Sequence, residues 1–241
     1  MVLPVADVEW GPLNPARGDA SPRAGTLWGD RNAAGATGFL VRFVDGFESP
    51  PHIHNVSYRG VVIHGRVHND HPDAEALWMG TGSFWTQPLG AVHITAAAGE
   101  ETVAYIEIDA GPYLVRPVED AHASEEEAIN VPAEALAWRE LDGVELTSLW
   151  GDPSGEEARG LLLRLPAAST TELESNASSF RVVVIEGSVE HRREGAADGA
   201  SLAPGSSIGA TESAAQLTCR AEVDCTLYVR AEGDLDLRSP D

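Results

Sequence analysis

Three histidines in the first half of the chain, His52, His54 and His93, have the residue type and spacing of metal ligands. Imidazole is the commonest metal ligand in proteins, and three of them leave positions on an ion open for a substrate. His52 and His54 are two residues apart, so on a β-strand both side chains point to one face, whereas on a helix they diverge by about 200°. Pro50 and Pro51 directly before them also disfavour a helix. The pair is therefore predicted to lie on a strand.

Two further strands are predicted, one shortly after the histidine pair and one that begins at His93. Residues 58–63 are rich in β-branched side chains and are followed by Gly65, which predicts a strand and a turn. Pro88 and Gly90 predict another turn, after which His93 begins a further strand-like run. We expect these strands to lie side by side and to aim three ring nitrogens at one point.

These segments resemble the two signature motifs of the cupin superfamily. The resemblance implies an all-β fold, a double-stranded β-helix of antiparallel strands, with a metal held inside by His52, His54 and His93. The chain departs from the usual motif at Tyr58, where the family usually has a glutamate ligand, and at Ala97, where it often has an asparagine. The matching positions are Gly46, His52, His54 and Gly65 in the first motif, and Gly82, Pro88, Gly90 and His93 in the second.

The sequence repeats itself, which predicts a bicupin made of tandem barrels. The run Leu-Trp-Gly-Asp at 27–30 recurs at 149–152. We expect a cupin with the metal site at residues 1–120 and a degenerate cupin without metal ligands at residues 130–241, similar to uncharacterised bicupins and to the cupin halves of anti-sigma factors. The positions of the second copy that match His52, His54 and Tyr58 hold Glu174, Asn176 and Phe180.

The pattern along the rest of the chain is that of short strands separated by turn residues. Helices are predicted only at residues 123–129 and 133–138, and the acidic stretch 119–127 is the expected linker.

The composition restricts the class of partner and the compartment. The chain of 241 residues has 38 acidic and 16 basic residues, all arginine, and a net charge of −22. Nucleic acids and anionic membranes are disfavoured as partners, because phosphate neutralisation needs clustered basic residues. No run of apolar residues has the length of a membrane span, and the N-terminus lacks a signal-peptide pattern. We therefore expect a cytoplasmic protein in which Cys219 and Cys225 are reduced, and a homodimer by resemblance to other cupins.

The absence of a carboxylate among the expected ligands suggests a type of chemistry. Three neutral imidazoles leave a divalent ion with its full positive charge, which makes it a stronger Lewis acid toward anionic chelating ligands such as enolates and carboxylates. Open positions accommodate such a ligand beside dioxygen. The set resembles that of the all-histidine cupin dioxygenases that cleave diketones or oxidise thiols. The leading hypothesis is a mononuclear metal-dependent dioxygenase that acts on a small organic acid or diketone.

Two other functions stay open, a non-enzymatic zinc- or ligand-binding sensor and a metal-dependent isomerase or hydrolase. The expected cofactor is one divalent transition metal, Fe(II) by preference, with zinc, manganese or nickel as alternatives. Tyr58 is the candidate catalytic residue, either orienting a bound group or contacting the metal at long range; alternatively its ring only packs. Trp85 and Gln87 either line the pocket or belong to the core or surface. Arg66 either holds a substrate carboxylate or pairs with surface acids.

Overall fold

The computed structural model describes residues 1–153, 155–175, 179–193, 199–210, 213–220, 222–233 and 235–238, and they form an all-β protein. The first ten strands are β1 (Val2–Leu3), β2 (Trp10–Pro12), β3 (Arg23–Trp28), β4 (Thr37–Arg42), β5 (Ile53–His54), β6 (Tyr58–Asp70), β7 (Phe84–Gln87), β8 (Ile94–Ile108), β9 (Val115–Arg116) and β10 (Ile129–Val131). The others are β11 (Arg139–Leu141), β12 (Val144–Trp150), β13 (Ala158–Leu165), β14 (Thr170–Ser175), β15 (Ser179–Glu186), β16 (Val189–Arg193), β17 (Ala200–Leu202), β18 (Ser207–Ala210), β19 (Ser213–Cys219), β20 (Cys225–Glu232) and β21 (Leu235–Arg238). The described helices are short 3₁₀ turns at Val5–Asp7, Pro15–Ala20, Val118–Asp120 and Ala133–Ala135.

The chain forms two compact units, and they do not coincide with the segments 1–120 and 130–241. The first unit is Val8–Ala135, and the second combines Met1–Asp7 with Leu136–Asp241. The N-terminal residues belong to the second unit because β1 pairs with β18. In the same way β10 belongs to the first unit because it pairs with β7. Strand pairing, which leaves no mark on the local sequence pattern, sets these bounds.

The first unit is built on a seven-stranded antiparallel sheet in the order β10-β7-β6-β8-β4-β3-β2, and β5 and β9 form a separate ribbon. Its centre is the pair β6 and β8, which runs from Tyr58 opposite Ile108 to Asp70 opposite Ile94. Side chains on one face of these strands form the apolar core together with Trp85 and Met79. Because β6 begins at Tyr58 and β8 begins directly after His93, both residues lie in or next to strands of the same sheet.

A glycine allows an aromatic ring to lie flat against the central strand of this sheet. Gly60 pairs with Trp85 across β6 and β7. A Cβ atom at position 60 would lie 2.2 Å from Cζ2 of Trp85, far inside van der Waals contact. The sequence thus needs glycine here so that the buried indole can cover the strand.

The second unit has a seven-stranded sheet with a matching strand order, β1-β18-β15-β20-β13-β12-β11, and a five-stranded sheet, β17-β16-β19-β14-β21. The side-chain bond from Trp150 Nε1 to the Tyr228 hydroxyl, 3.1 Å, matches one of 3.0 Å from Trp28 to Tyr105 in the first unit. Phe180 is buried in the core of the second unit. Glu174 lies in β14, and Asn176 lies outside the described residues.

Three local expectations were wrong. Residues 123–129 form no helix and lead into β10, which pairs with the edge of the sheet, and residues 133–138 have only the 3₁₀ turn at Ala133–Ala135 in place of a longer helix. Tertiary pairing overrides helix propensity here. Cys219 and Cys225 are joined in a disulfide because β19 and β20 bring both side chains together at a turn.

In the described part of the chain, no helix combines the length and apolarity of a membrane span.

Candidate metal centre

The backbone places His52 and His93 directly opposite each other. The two residues form an isolated antiparallel bridge, in which each backbone N–H donates to the other's carbonyl oxygen over 3.0 Å. His54 follows in β5, and its carbonyl oxygen accepts from Gly90 N over 2.9 Å. The Pro88–Gly90 turn is thereby fixed to the strand of the histidine pair, and all three imidazoles extend to one side.

The three rings meet in one cluster. Their centroids lie 4.3 Å apart for His52 and His93, 5.0 Å for His52 and His54, and 5.2 Å for His54 and His93. The Nε2 atoms of His52 and His54 are 3.2 Å apart. One ring nitrogen from each residue lies within 4.8 Å of the others, a spacing at which a single ion can contact all three.

Backbone carbonyls fix the tautomer of each ring. The Nδ1 atom of His52 is 2.9 Å from Pro50 O, that of His54 is 3.2 Å from Leu114 O, and that of His93 is 3.2 Å from Ala91 O. A carbonyl oxygen only accepts, so each Nδ1 carries the hydrogen and each Nε2 keeps its lone pair. Bonds of this kind orient metal-binding histidines.

Burial keeps the cluster uncharged. Desolvation lowers the pKa of His54 well below 6.5, and the neighbouring imidazoles His93 and His52 lower it further. It lowers the pKa of His93 to about 3 and also lowers that of His52. Neutral imidazole is the form that binds metals. Three neutral rings with inward lone pairs and anchored N–H groups therefore fit the divalent transition ion implied by a cupin fold.

Tyr58, at the position of the usual glutamate, is held by a network of buried amides. Gln87 donates from Nε2 to Ala91 O over 3.1 Å, so its Oε1 accepts from Asn69 Nδ2 over 2.9 Å. Asn69 Oδ1 then accepts from the hydroxyls of Tyr58, 2.9 Å, and Thr95, 2.8 Å. The Ala91 carbonyl can only accept, so it fixes the orientation of the Gln87 amide and, through it, that of the Asn69 amide. The Tyr58 proton therefore points at Asn69, and the lone pairs of the Tyr58 oxygen face the cluster.

Two phenols border the imidazoles. The Tyr58 oxygen lies 3.4 Å from His93 Nε2, and the Tyr113 oxygen lies 3.3 Å from His54 Nε2. Tyr113 also stacks on the His54 ring at a centroid distance of 4.4 Å. Burial raises the pKa of both tyrosines, so both hydroxyls keep their hydrogens at neutral pH. Sequence analysis missed Tyr113, because its segment after β8 carries no motif or periodicity.

The cluster opens into a cavity of about 440 Å³ in the first unit. Trp85 lines this cavity, whereas Gln87 is buried in the amide network. Arg66 does not line it; its guanidinium lies 5.9 Å from the ring centroid of Trp78. The lining residues are Leu13, Asn14, Arg17, Pro22, Val41, Phe43, Phe47, Ser49, Pro50, Pro51, His52, His54, Tyr58, Trp85, Thr95, Ile106, Tyr113, Val115, Arg116 and Pro117.

Comparison with solved structures shows that the fold is of the cupin type. A protein of Nostoc punctiforme described as a "putative dioxygenase" has a TM-score of 0.74 and 14% identity, covering 100% of this chain and 87% of that one. A variant of oxalate decarboxylase from Bacillus subtilis has a TM-score of 0.62 and 10% identity, with 99% and 79% covered. AerE from Microcystis aeruginosa has a TM-score of 0.62 and 13% identity, with 97% and 99% covered.

Among curated proteins, none matches this chain in sequence. One family model matches residues 2–238, nearly the whole length, and it spans both compact units. The chain therefore belongs to the family described as "Domain of unknown function (DUF4437)".

Proposed function

We propose that this chain is a two-copy cupin whose first unit binds one divalent transition ion through His52, His54 and His93 and acts as a mononuclear dioxygenase on a small organic acid or diketone. The observation that carries the proposal is the cluster of three neutral imidazoles, one nitrogen of each within 4.8 Å of the others, of which His52 and His54 line a cavity. Without an ion, the Nε2 lone pairs of His52 and His54 would face each other over 3.2 Å with no hydrogen between them, which is unfavourable in a buried site.

A divalent ion held by the three histidines would supply Lewis acidity beside the cavity and, if it were iron, a redox centre. The chain's own residues set the conditions for that chemistry. Pro50, Leu114 and Ala91 hold the three rings through their carbonyls, so the rings keep their orientation when substrate enters. The absence of a carboxylate from the cluster leaves the site more positive than a site with a glutamate ligand, which favours an anionic chelating substrate.

Tyr58 is proposed to orient the bound substrate. Its proton is committed to Asn69 Oδ1, so its oxygen accepts a hydrogen bond from a hydroxyl or enol of the substrate. Tyr113, whose hydroxyl faces His54 Nε2, turns its hydrogen toward the substrate once the lone pair of that nitrogen is occupied. One phenol accepts and the other donates, and this arrangement selects a substrate with both kinds of group.

The second unit is proposed to act as a scaffold without metal. Phe180, buried where the first unit has Tyr58, has no polar atom to offer a ligand. Both sheets share one strand order, which supports duplication of a single barrel followed by loss of the site.

The solved structures support the choice of chemistry and leave a choice of ion. One similar structure is described as a "putative dioxygenase". Another similar structure is that of oxalate decarboxylase from Bacillus subtilis, whose description names its Mn(II) centres. Manganese therefore stays beside iron(II), zinc and nickel, since nitrogen-rich sites accept all four.

Oxygen consumption by anaerobically purified protein tests the proposal. We expect the iron(II)-loaded protein to consume dioxygen with at least one member of a panel of diketones and 2-oxo or enolic acids. The double variant with His52→Ala and His54→Ala should not consume oxygen, and the matched double variant of the exposed His64→Ala and His71→Ala should behave as the wild type. Tightly bound zinc at one ion per chain, with no oxygen consumption for any metal, would contradict the dioxygenase and favour the zinc sensor.

A further inference from the structure

The cavity beside the imidazole cluster carries positive charge, although the chain as a whole is strongly acidic. Its described lining contains Arg17 and Arg116 and no aspartate or glutamate, in a chain with 38 acidic residues and 16 arginines. Arg116 is already neutralised in part, because its Nη1 lies 3.6 Å from Asp120 Oδ2. Arg17, in contrast, has no acidic partner or hydrogen-bonded side-chain partner in the part of the chain that the structure describes.

The loop that bears Arg17 is closed and ordered by its own backbone. Leu13 N donates to Pro22 O over 2.8 Å, which joins the two ends of the loop. Within it, Arg17 N donates to Asn14 O over 3.0 Å. The Arg17 guanidinium lies 5.6 Å from the ring centroid of Phe47, a cation–π distance. The cation is therefore positioned over the cavity wall before any ligand arrives.

Arg17 lines the same cavity as His52 and His54 of the imidazole cluster. Between these polar groups, the cavity wall is formed by aromatic and aliphatic side chains such as Phe43, Tyr113 and Val115. The cavity thus offers a cation and an imidazole cluster on a mainly apolar surface.

We propose that Arg17 binds a carboxylate of the substrate, so that the substrate is an organic acid with an apolar or aromatic body rather than an uncharged diketone. A guanidinium presents a planar fork that matches a carboxylate in two parallel hydrogen bonds. The apolar body lies against Phe43 and Phe47, and a second group of the substrate reaches the imidazole cluster. The inference rests on the proposed function for the identity of the site as an active site, but carboxylate binding at Arg17 does not depend on turnover.

Calorimetric titration with simple carboxylates tests this assignment. Phenylacetate and 4-phenylbutyrate are titrated into the protein as purified and into protein stripped of metal with a chelator, and phenylacetamide serves as the uncharged probe. We expect at least one of the two acids to bind both samples, and Arg17→Gln to weaken its binding about tenfold or more, since a hydrogen bond to a charged group is worth roughly that factor. Arg17→Lys should recover part of the loss.

Arg42→Gln is the matched control. The Arg42 guanidinium also lies over an aromatic ring, 4.1 Å from the centroid of Trp10, but Arg42 does not line the cavity, so carboxylate binding should be unchanged. Equal binding by wild type and Arg17→Gln, equal binding of phenylacetamide, or no binding of either acid overturns the assignment. Metal content and oxygen consumption, measured on the same samples, report on the proposed function separately: their failure beside Arg17-dependent carboxylate binding would contradict the oxygenase alone.

Discussion

Replacing His93 with asparagine should remove a large acid sensitivity from the metal-free protein. Burial lowers the pKa of His93 from 6.5 to about 3, so between these values the unfolded chain takes up a proton that the folded unit rejects. The free energy of unfolding therefore falls as the pH drops below 6.5, and it is unaffected by this group well above that pH.

The size of the effect follows from the pKa difference. Each pKa unit corresponds to about 1.4 kcal/mol, so the full loss across the interval is about 5 kcal/mol, of which roughly 2 kcal/mol is already lost at about pH 5. Asparagine at position 93 keeps an amide nitrogen near the place of Nδ1, so its bond to Ala91 O can persist while the titrating ring is gone. The variant should therefore lose about 2 kcal/mol less than the wild type between about pH 8 and about pH 5.

Native-state hydrogen exchange in urea, followed by mass spectrometry of peptides from β8, measures this free energy within the unit that contains the cluster. The exposed His64→Asn is the matched control and should show the same pH dependence as the wild type. Identical losses for wild type and His93→Asn would refute the account of a buried, neutral imidazole. Saturating metal should raise the free energy of unfolding but leave its fall toward pH 5 in place, because a metal-bound Nε2 takes up no proton in the folded state while the unfolded chain still does.

Three further predictions concern the residues around the cluster. Tyr58→Phe should lower the free energy of unfolding by about 1 kcal/mol and leave the bound metal unchanged, since Asn69 Oδ1 still accepts from Thr95; loss of metal in elemental analysis would instead make Tyr58 a ligand. Gln87→Met should cost about 1–3 kcal/mol in urea unfolding because it leaves the buried Asn69 amide without its acceptor, and an unchanged stability would contradict the amide network. Gly60→Ala should cost about 1–3 kcal/mol through the clash with Trp85, seen as a lower melting temperature. The half-buried Gly80, which has open space at its Cβ position, should accept alanine with a much smaller change.

The histidine cluster was predictable because its determinants are local. Alternation on a strand puts His52 and His54 on one face, and the Pro88–Gly90 turn sets the approach of His93. The structure brings these rings together as expected. The all-β class followed from β-branched runs between turn residues, as in β6 and β8.

The remaining site residues were not predictable from local patterns. Arg17 and Tyr113 lie outside the long strands, and their positions depend on loop closure and on packing against His54. Asn69 is buried in β6, which continues to Asp70 because β8 pairs with it along its whole length. His68 is buried for the same reason, whereas His64 and His71 are exposed. Long-range strand pairing therefore decides whether the side chains at positions 68 and 69 are buried.

Metal content per chain, determined by mass spectrometry of protein purified without added metal or chelator, tests the central claim most directly. The account predicts one divalent transition ion per chain in the wild type and in the control with His64→Asn and His71→Asn. It predicts almost none in a folded double variant with His52→Asn and His54→Asn. A wild-type protein that binds no transition ion even when one is supplied, or a double variant that keeps the full ion content, would contradict it.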